Sequence, residues 1–481
     1  MRLHLINPCN PLVSLANQKA NRWNRYRVWK PLGLLVLAGL TPADWQITLT
    51  DENLGVPDYQ AMPRPDLVAI TAFTSQASRA YDVAAAFRSR GVPVVMGGIH
   101  ATMRREEAAA HVDCVVTGEA EGIWASVLAD AKLGQLKPTY AGDHADMANV
   151  PIARHDLLPE GYAFGSVQTT RGCPLNCEFC SVSAFNGVGY RNRPISHVIA
   201  EMQTIREKWV LLVDDNLIGT SKSHVQRAKE LFRAMIRANL RKKWICQATI
   251  NMADDNELLS LAAQAGCGGV FIGFESPTAA GLAEVGKRLN LDRKRDMRSS
   301  VRQIQRHKIL VVGSFIMGLD SDRPGIGTQI ADTASAYGVD ILNALFLTPL
   351  PGTRLWDRLA AEDRITANDF PRDWQYYTLG FPTARYRHFT SRQILDEMHG
   401  CERRFYSLRG VLRRVGRCLL NRSHPLLSLA ANLSYRNNVG LSRGICAQLG
   451  LLSGQVSERW TATAREALAG WSAQPGSDSA V

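Results

Sequence analysis

The stretch GSVQTTRGCPLNCEFC, residues 165–180, decides the fold. Its first part contains a strand candidate, Ser166–Thr169, and its second part, Gly172–Cys180, sets Cys173, Cys177 and Cys180 within eight residues. Strand-type runs recur downstream at Trp209–Val213, Lys243–Thr249, Gly269–Gly273, Leu310–Ile316 and Ile341–Leu347, with helical patterns between them such as His197–Lys208, Val225–Arg237, Asn256–Ala265 and Lys294–His307. Strands separated by helices of this length need right-handed crossovers and a parallel sheet. Six such units predict a partial (β/α)6 barrel, open on one side to admit a bulky substrate. The cysteines then lie just past its first strand.

Three thiolates in Cys-x3-Cys-x2-Cys spacing can hold three irons of a 4Fe-4S cluster and leave the fourth iron open to a ligand that is not protein. A cluster built only for electron transfer would normally take a fourth cysteine, and none is close in sequence. The competing reading is a structural zinc site of three cysteines and a histidine. Such sites usually come as two separated pairs, and the nearest downstream histidine, His197, is seventeen residues beyond Cys180. The other seven cysteines, at 9, 114, 246, 267, 401, 418 and 446, are scattered singly and read as small buried hydrophobes.

Upstream, the first 130 residues alternate β-type runs with helical stretches: Leu3–Ile6, Leu32–Leu40, Gln46–Thr50, Leu67–Thr71, Ser78–Ser89, Val92–Met96, Arg104–Ala110, Cys114–Thr117 and Ile123–Ala131. This predicts a doubly wound, Rossmann-like α/β domain whose ligand lies beyond the carboxyl ends of the strands. The residues to inspect there are Asn7-Pro8, Asp51-Glu52-Asn53, Thr74-Ser75, Gly97-Gly98-Ile99-His100 and Gly118-Glu119. The expected organisation is an α/β domain over 1–135, a linker over 136–164, the barrel over 165–365 and a mainly helical, basic region over 366–481 ending in a disordered Ser/Gly/Ala-rich tail.

The chain has 481 residues, 46% hydrophobic and 21% charged, the profile of a folded multidomain protein. Its longest apolar run, Leu32–Leu40, is far short of the roughly 20 residues that cross a bilayer, and the amino terminus lacks a secretory pattern. A reducing, cytoplasmic setting is therefore expected. The net charge of +12 concentrates late, with nine arginines against Glu402 alone between Cys401 and Arg443. From Phe405 to Leu452 arginines interleave with leucines. This pattern fits either a basic amphipathic surface held peripherally at the inner membrane face or a solvated helical face packed on the barrel. No RNA-binding module is recognisable, so no nucleic acid is expected.

The motif Cys-x3-Cys-x-aromatic-Cys, with Phe179 before Cys180, resembles the radical S-adenosylmethionine superfamily. The resemblance implies that S-adenosyl-L-methionine chelates the open iron and that an electron from a flavodoxin- or ferredoxin-type donor cleaves it to a 5′-deoxyadenosyl radical, which takes hydrogen from unactivated carbon. It also implies roles for later segments. Val210–Asn216 would bring Asp214 and Asp215 to the methionine amino group, Gln247 and Thr249 would meet the ribose, Glu275 in Gly269–Ser276 would help position the nucleotide, and Gly313 in Gly313–Gly318 would lie near adenine. Each segment alone is equally consistent with core packing followed by a solvated turn.

The amino-terminal part is similar to the cobalamin-binding domain that precedes many members, through Lys30–Leu35, Asp51–Asn53, Gly97–His100 and Gly118-Glu119. This implies contacts to cobalamin from Asn7, Thr74, Ser75, Gly97, Gly98, His100, Gly118 and Glu119. The Asp-x-His-x-x-Gly motif that supplies a cobalt ligand in other such domains is absent, so His100 is an orienting contact or a surface residue. The closest likeness is to the branch of hopanoid C-2 and C-3 methylases, through Gly165–Gln168, Glu178–Cys180, Val213–Gly219 and Trp356–Leu359. The implied activity is cobalamin-dependent methylation of an unactivated carbon in a small-molecule or lipid-like substrate, a secondary metabolite or an isoprenoid. Cyclisation or rearrangement on the same two domains is the alternative. A tRNA methylthiotransferase would need three more cluster cysteines near the amino terminus, where only Cys9 and Cys114 occur. A non-catalytic iron–sulfur binding protein is the remaining reading.

Overall fold

The computed structural model describes residues 1–13, 29–291, 295–421 and 423–448. The expected helix beyond 448 and the Ser/Gly/Ala-rich tail lie outside the described residues. The first sheet contains β1 (Arg2–Asn7), β2 (Gln46–Asp51), β3 (Leu67–Thr71), β4 (Val94–Gly97), β5 (Cys114–Gly118) and β6 (Thr139–Gly142), in the order β2-β1-β3-β4-β5-β6. All neighbours are parallel. The buried runs of β3, β4 and β5 are almost continuously apolar because helices cover both faces of the sheet. The leucine-rich run Leu32–Leu40, with Val36 as its sole β-branched residue, forms a helix. Strand β6 arises from the stretch read as a linker, so that stretch contributes an edge of the sheet.

The second sheet has β7 (Gly165–Val167), a short antiparallel pair β8 (Thr170–Arg171) and β9 (Arg191–Asn192) standing above it, then β10 (Trp209–Leu212), β11 (Lys243–Ala248), β12 (Cys267–Glu275), β13 (Leu310–Met317) and β14 (Ile341–Phe346). Its order is β14-β13-β12-β11-β10-β7, parallel throughout and not closed on itself, which is the open six-stranded barrel. Accessibility alternates along β11, where Ile245 and Gln247 face inward between the buried Trp244, Cys246 and Ala248. Gln247 is level with Phe271, and Gly273, Ser314 and Asn343 form a row across the next three strands, so the concave face presents a short polar and apolar lining.

The seven single cysteines are all buried, as expected of small hydrophobes. Helices Ser391–Phe405, Leu408–Leu420 and Pro425–Gln448 follow the barrel. The last two pack on the amino-terminal ends of the barrel strands: Arg417 pairs with Asp340 at 2.7 Å, just before β14, and His424 meets the edge of Trp209 at the start of β10.

The carboxyl ends of both sheets face one another. The segment 365–381 threads between the domains, and one apolar core runs from the β3 face of the first sheet through the barrel to the carboxyl-terminal helices. Trp374 is the bolt. It is fully buried, stacks on Phe370 at 3.7 Å, lies under the Arg104 guanidinium and donates from Nε1 to Glu107 at 2.7 Å. Trp374→Ala is expected to cost about 3–5 kcal/mol by loss of buried aromatic volume, and Trp374→Phe less, measured by urea unfolding of the purified chain.

Candidate functional site

The three motif cysteines sit on a loop fixed from below and from the side. Gly172 begins it with φ +89°, and a Cβ there would fall 1.9 Å from the Gly189 carbonyl, so only glycine fits the turn. Asp214, at the carboxyl end of β10, is fully buried. It accepts from Thr169 N–H at 2.6 Å, from Thr169 Oγ1 at 3.0 Å and from Thr170 N–H. Burial pushes its carboxyl up to about 6, against the pull of those donors. Asp215 accepts from Gly172 N–H at 2.8 Å and Asn186 Nδ2 at 3.0 Å, both on Oδ2. The two carboxylates expected at the methionine amino group thus brace the cysteine loop.

From the side, the helix Arg354–Ala361 clamps the loop. Arg354 Nη2 donates to the Asn176 carbonyl at 2.6 Å, Leu355 N–H to the Glu178 carbonyl at 3.2 Å, and Arg358 Nε to the Glu178 carboxylate at 2.8 Å. Phe179 is half-buried against the main core.

Cys177 is buried and Cys173 and Cys180 half-buried, all as free thiols. They share one space: charge on Cys173 bears on Cys177, and both bear on Cys180. Burial pushes all three thiols up, Cys180 to about 11, so binding a cationic cluster must displace their protons. Three free thiols facing one space fit three corners of an iron–sulfur cluster.

Beside them lies a cation that sequence reasoning missed. Lys287 is buried, and its Nζ donates to Glu275 Oε1 at 2.8 Å. Burial works against its charge, but Glu275 and the thiols of Cys177 and Cys173 hold its pKa above the usual lysine value. Glu275 itself has φ +66° at a register shift in β12, which turns it toward this pair. The only sequence signal was a lysine twelve positions past Glu275, separated from it by a helix.

Gln247 is exposed on the inner face of β11, whereas Thr249 is buried and bonded to Asn216 and Asn251. Gly313 points the other way. A Cβ there would lie 2.9 Å from Val339, in the layer behind the sheet, and its neighbour Ser314 is the inward residue. The period of two along a strand accounts for this correction.

In the first domain the chain reverses direction across the sheet between β1 and β3, and the loops after these strands are stitched together. Gln76 donates to the Pro8 carbonyl at 2.5 Å and accepts from Phe73 N–H, while Asn10 donates to the carbonyls of Ser75 and Gln375. Asn7 donates to Asp51 at 2.9 Å, and Thr74 is buried. This stitched loop presents Phe73, 68% exposed, at the edge where such sheets bind ligands. Gly97 ends β4 and Gly98 follows it, and Gly98, at φ +90°, lets the backbone approach the neighbouring loop, where a Cβ would lie 2.6 Å from Thr71 Oγ1.

His100 lies in the short helix after Gly98, and its backbone N–H donates to the Ala72 carbonyl at 3.2 Å. It is fully buried, its Nε2 2.8 Å from the Tyr81 hydroxyl and its ring edge-on to Trp374, and burial holds its pKa below the ordinary value. It is therefore not a surface residue. Glu119, after Gly118, joins the domains: Arg171 Nη1 and Arg191 Nη1 both donate to its Oε2, at 2.8 and 2.9 Å. Burial opposes its ionisation, yet Arg191 and Arg171 hold its carboxyl below the usual range.

Two family models match the chain. Residues 19–128 match the B12 binding domain and residues 167–323 the radical SAM superfamily. The bacteriochlorophyllide d C-12(1)-methyltransferase of Chlorobaculum tepidum is 27% identical over 424 residues, covering 84% of this chain and 88% of that protein. The hopanoid C-2 methylase of Rhodopseudomonas palustris is 26% identical over 455 residues, covering 92% and 84%. In fold, the chain is similar to the radical S-adenosylmethionine methyltransferase TsrM of Kitasatospora setae, solved with cobalamin and a [4Fe-4S] cluster bound, with TM-score 0.60, 18% identity and coverage of 75% of this chain and 78% of that one.

Changing Cys173, Cys177 and Cys180 together to alanine is expected to leave the circular dichroism spectrum intact and to remove iron from anaerobically purified protein. Retained iron would place the metal elsewhere.

Proposed function

We propose, from the premise that this chain belongs to the radical SAM superfamily and carries a B12 binding domain ahead of its barrel, that it methylates an unactivated carbon of a small-molecule or lipid-like substrate. The observation that carries this reading is the meeting of the two binding edges. Glu119, after β5, is bonded to Arg171 and Arg191 beside the cysteine loop, and Asn10, after β1, reaches the segment that follows the barrel. These contacts support a reading in which a group on the β1/β3 edge and a group on the cysteine loop would face one another.

When bound, the cluster with S-adenosyl-L-methionine supplies hydrogen abstraction and cobalamin supplies methyl transfer. The chain's own work is positioning and exclusion of water. Cys173, Cys177 and Cys180 hold the cluster, and Asp214 and Asp215 hold the loop that carries them. Glu275, paired with Lys287, and the exposed Gln247 line the approach to the open corner, so they are the groups available to a nucleotide there. Phe73 offers an apolar face to cobalamin, and His100, buried against Tyr81, offers no ligand to cobalt. The inner wall of Phe271, Gly273, Ser314, Asn343 and Leu345 is suited to an apolar substrate with few hydrogen-bonding groups. The named activities of the bacteriochlorophyllide and hopanoid relatives support the same substrate class. Reduction by a flavodoxin- or ferredoxin-type protein completes the scheme.

Two outcomes are expected. With reductant, S-adenosyl-L-methionine and an accepted substrate, the reconstituted protein forms a methylated product together with both 5′-deoxyadenosine and S-adenosylhomocysteine. 5′-Deoxyadenosine without S-adenosylhomocysteine would indicate cyclisation or rearrangement instead. Independently of turnover, Phe73→Asp should weaken cobalamin binding in a spectrophotometric titration by about ten-fold or more, the order expected for losing one buried phenyl contact.

A further inference from the structure

We propose that the outer face of the helix Leu408–Leu420 is a docking surface for an anionic lipid bilayer. The helix packs inward through Val411, Arg414 and Cys418, all buried. Its outer face carries Leu408, Leu412 and Leu419, which a 100° step per residue brings to within about 40° of one another. Leu420, about 100° round the helix on the side of Arg409 and Arg413, and Leu426 at the start of the next helix add exposed apolar surface, and all five leucines are between 60% and 86% exposed. A face meant only for water would carry polar residues there.

Charge decides the occupant. Arg409 and Arg413 flank the ridge, are exposed and form no ion pair among the described residues, whereas Arg404 is paired with Asp332 and Arg417 with Asp340. Arg414 is buried and donates to Asn432 at 2.9 and 2.8 Å. Glu402 is the only acid in the sequence between Cys401 and Arg443. Apolar side chains bordered by uncompensated arginines match the acyl and headgroup layers of an anionic membrane. A second copy would set arginine against arginine. Among the described residues no helix is long and apolar enough to cross a membrane, so contact would be peripheral.

The position of the ridge adds a constraint. These helices sit at the amino-terminal ends of the barrel strands, and the cysteine loop sits at the carboxyl ends. Docking therefore anchors the chain with its reactive mouth turned away from the bilayer, and vesicle binding is independent of cobalamin, cluster and substrate.

Flotation of the full chain with vesicles tests this. Binding is expected to vesicles of equal parts phosphatidylglycerol and phosphatidylcholine, to weaken with added salt and to be lost on phosphatidylcholine alone. The double variants Leu412→Asp/Leu419→Asp and Arg409→Glu/Arg413→Glu should each weaken it by roughly ten-fold or more, with unchanged circular dichroism. Binding that survives both double variants would overturn the proposal. So would absence of binding by the wild-type chain. In that case a dimer made monomeric by Leu412→Asp/Leu419→Asp would assign the ridge to a second copy, and a monomer throughout would assign it to residues 449–481.

Discussion

Everything at the reactive end of this protein depends on one buried carboxylate. Asp214 has no solvent to ionise into, and it gathers the N–H groups of Thr169 and Thr170 where the chain leaves β7. Those two bonds fix the direction in which Gly172–Cys180 departs from the sheet. Asp215 adds a second hold at Gly172 N–H, and the helix after β14 adds a third at Asn176 and Glu178. A loop with positive φ at both Gly172 and Asn176 has little intrinsic preference for its shape, so the shape comes from these external bonds. Those bonds direct the three thiols toward a common space, so protein contacts contribute to the ordering of the loop.

The same economy joins the domains. Glu119 is buried between Arg171 and Arg191, which belong to the short β8–β9 ladder that frames the cysteine loop. An acid that sequence reasoning assigned to the cobalamin edge therefore ties that edge to the cluster loop. Removing Glu119 would leave the partly buried Arg191 guanidinium without a carboxylate, a destabilising loss, so the pairing resists relative movement of the two edges. Lys30 and Glu207 make a second interdomain pair at 2.7 Å, near the helix Leu32–Leu40. Trp374 makes the apolar counterpart.

What was legible in the sequence followed from periodicity and local chemistry. The six barrel strands fall within two residues of their predicted limits because each is a β-branched or aromatic run closed by turn residues. The cysteine spacing carried the cluster loop by itself. Strand β6 was not legible, since Thr139–Gly142 is short and edge-placed and its glycine closely approaches the Glu119 carbonyl. Side-chain direction was less readable still. Gly313 and Ser314 differ by one position and face opposite layers, and His100 looked like a loop residue until Tyr81 and Trp374 enclosed it. Lys287 and Phe73 were invisible for another reason: one acts through a partner twelve residues away across a helix, the other only through its exposure on a stitched loop.

The carboxyl-terminal helices set a limit on how any lipid-like substrate reaches the centre. Their inner face is spent on Asp340 and the strand starts of the barrel, so they close the end of the barrel opposite the cysteine loop. Entry must run through the open side between β7 and β14, or through the junction beneath the first domain. Gln247 stands exposed on the concave wall, with the Glu275–Lys287 pair at the end of β12 near the cysteine loop. A substrate therefore meets the polar groups nearest the cluster only after its apolar body has left water, an order that favours desolvation before reaction.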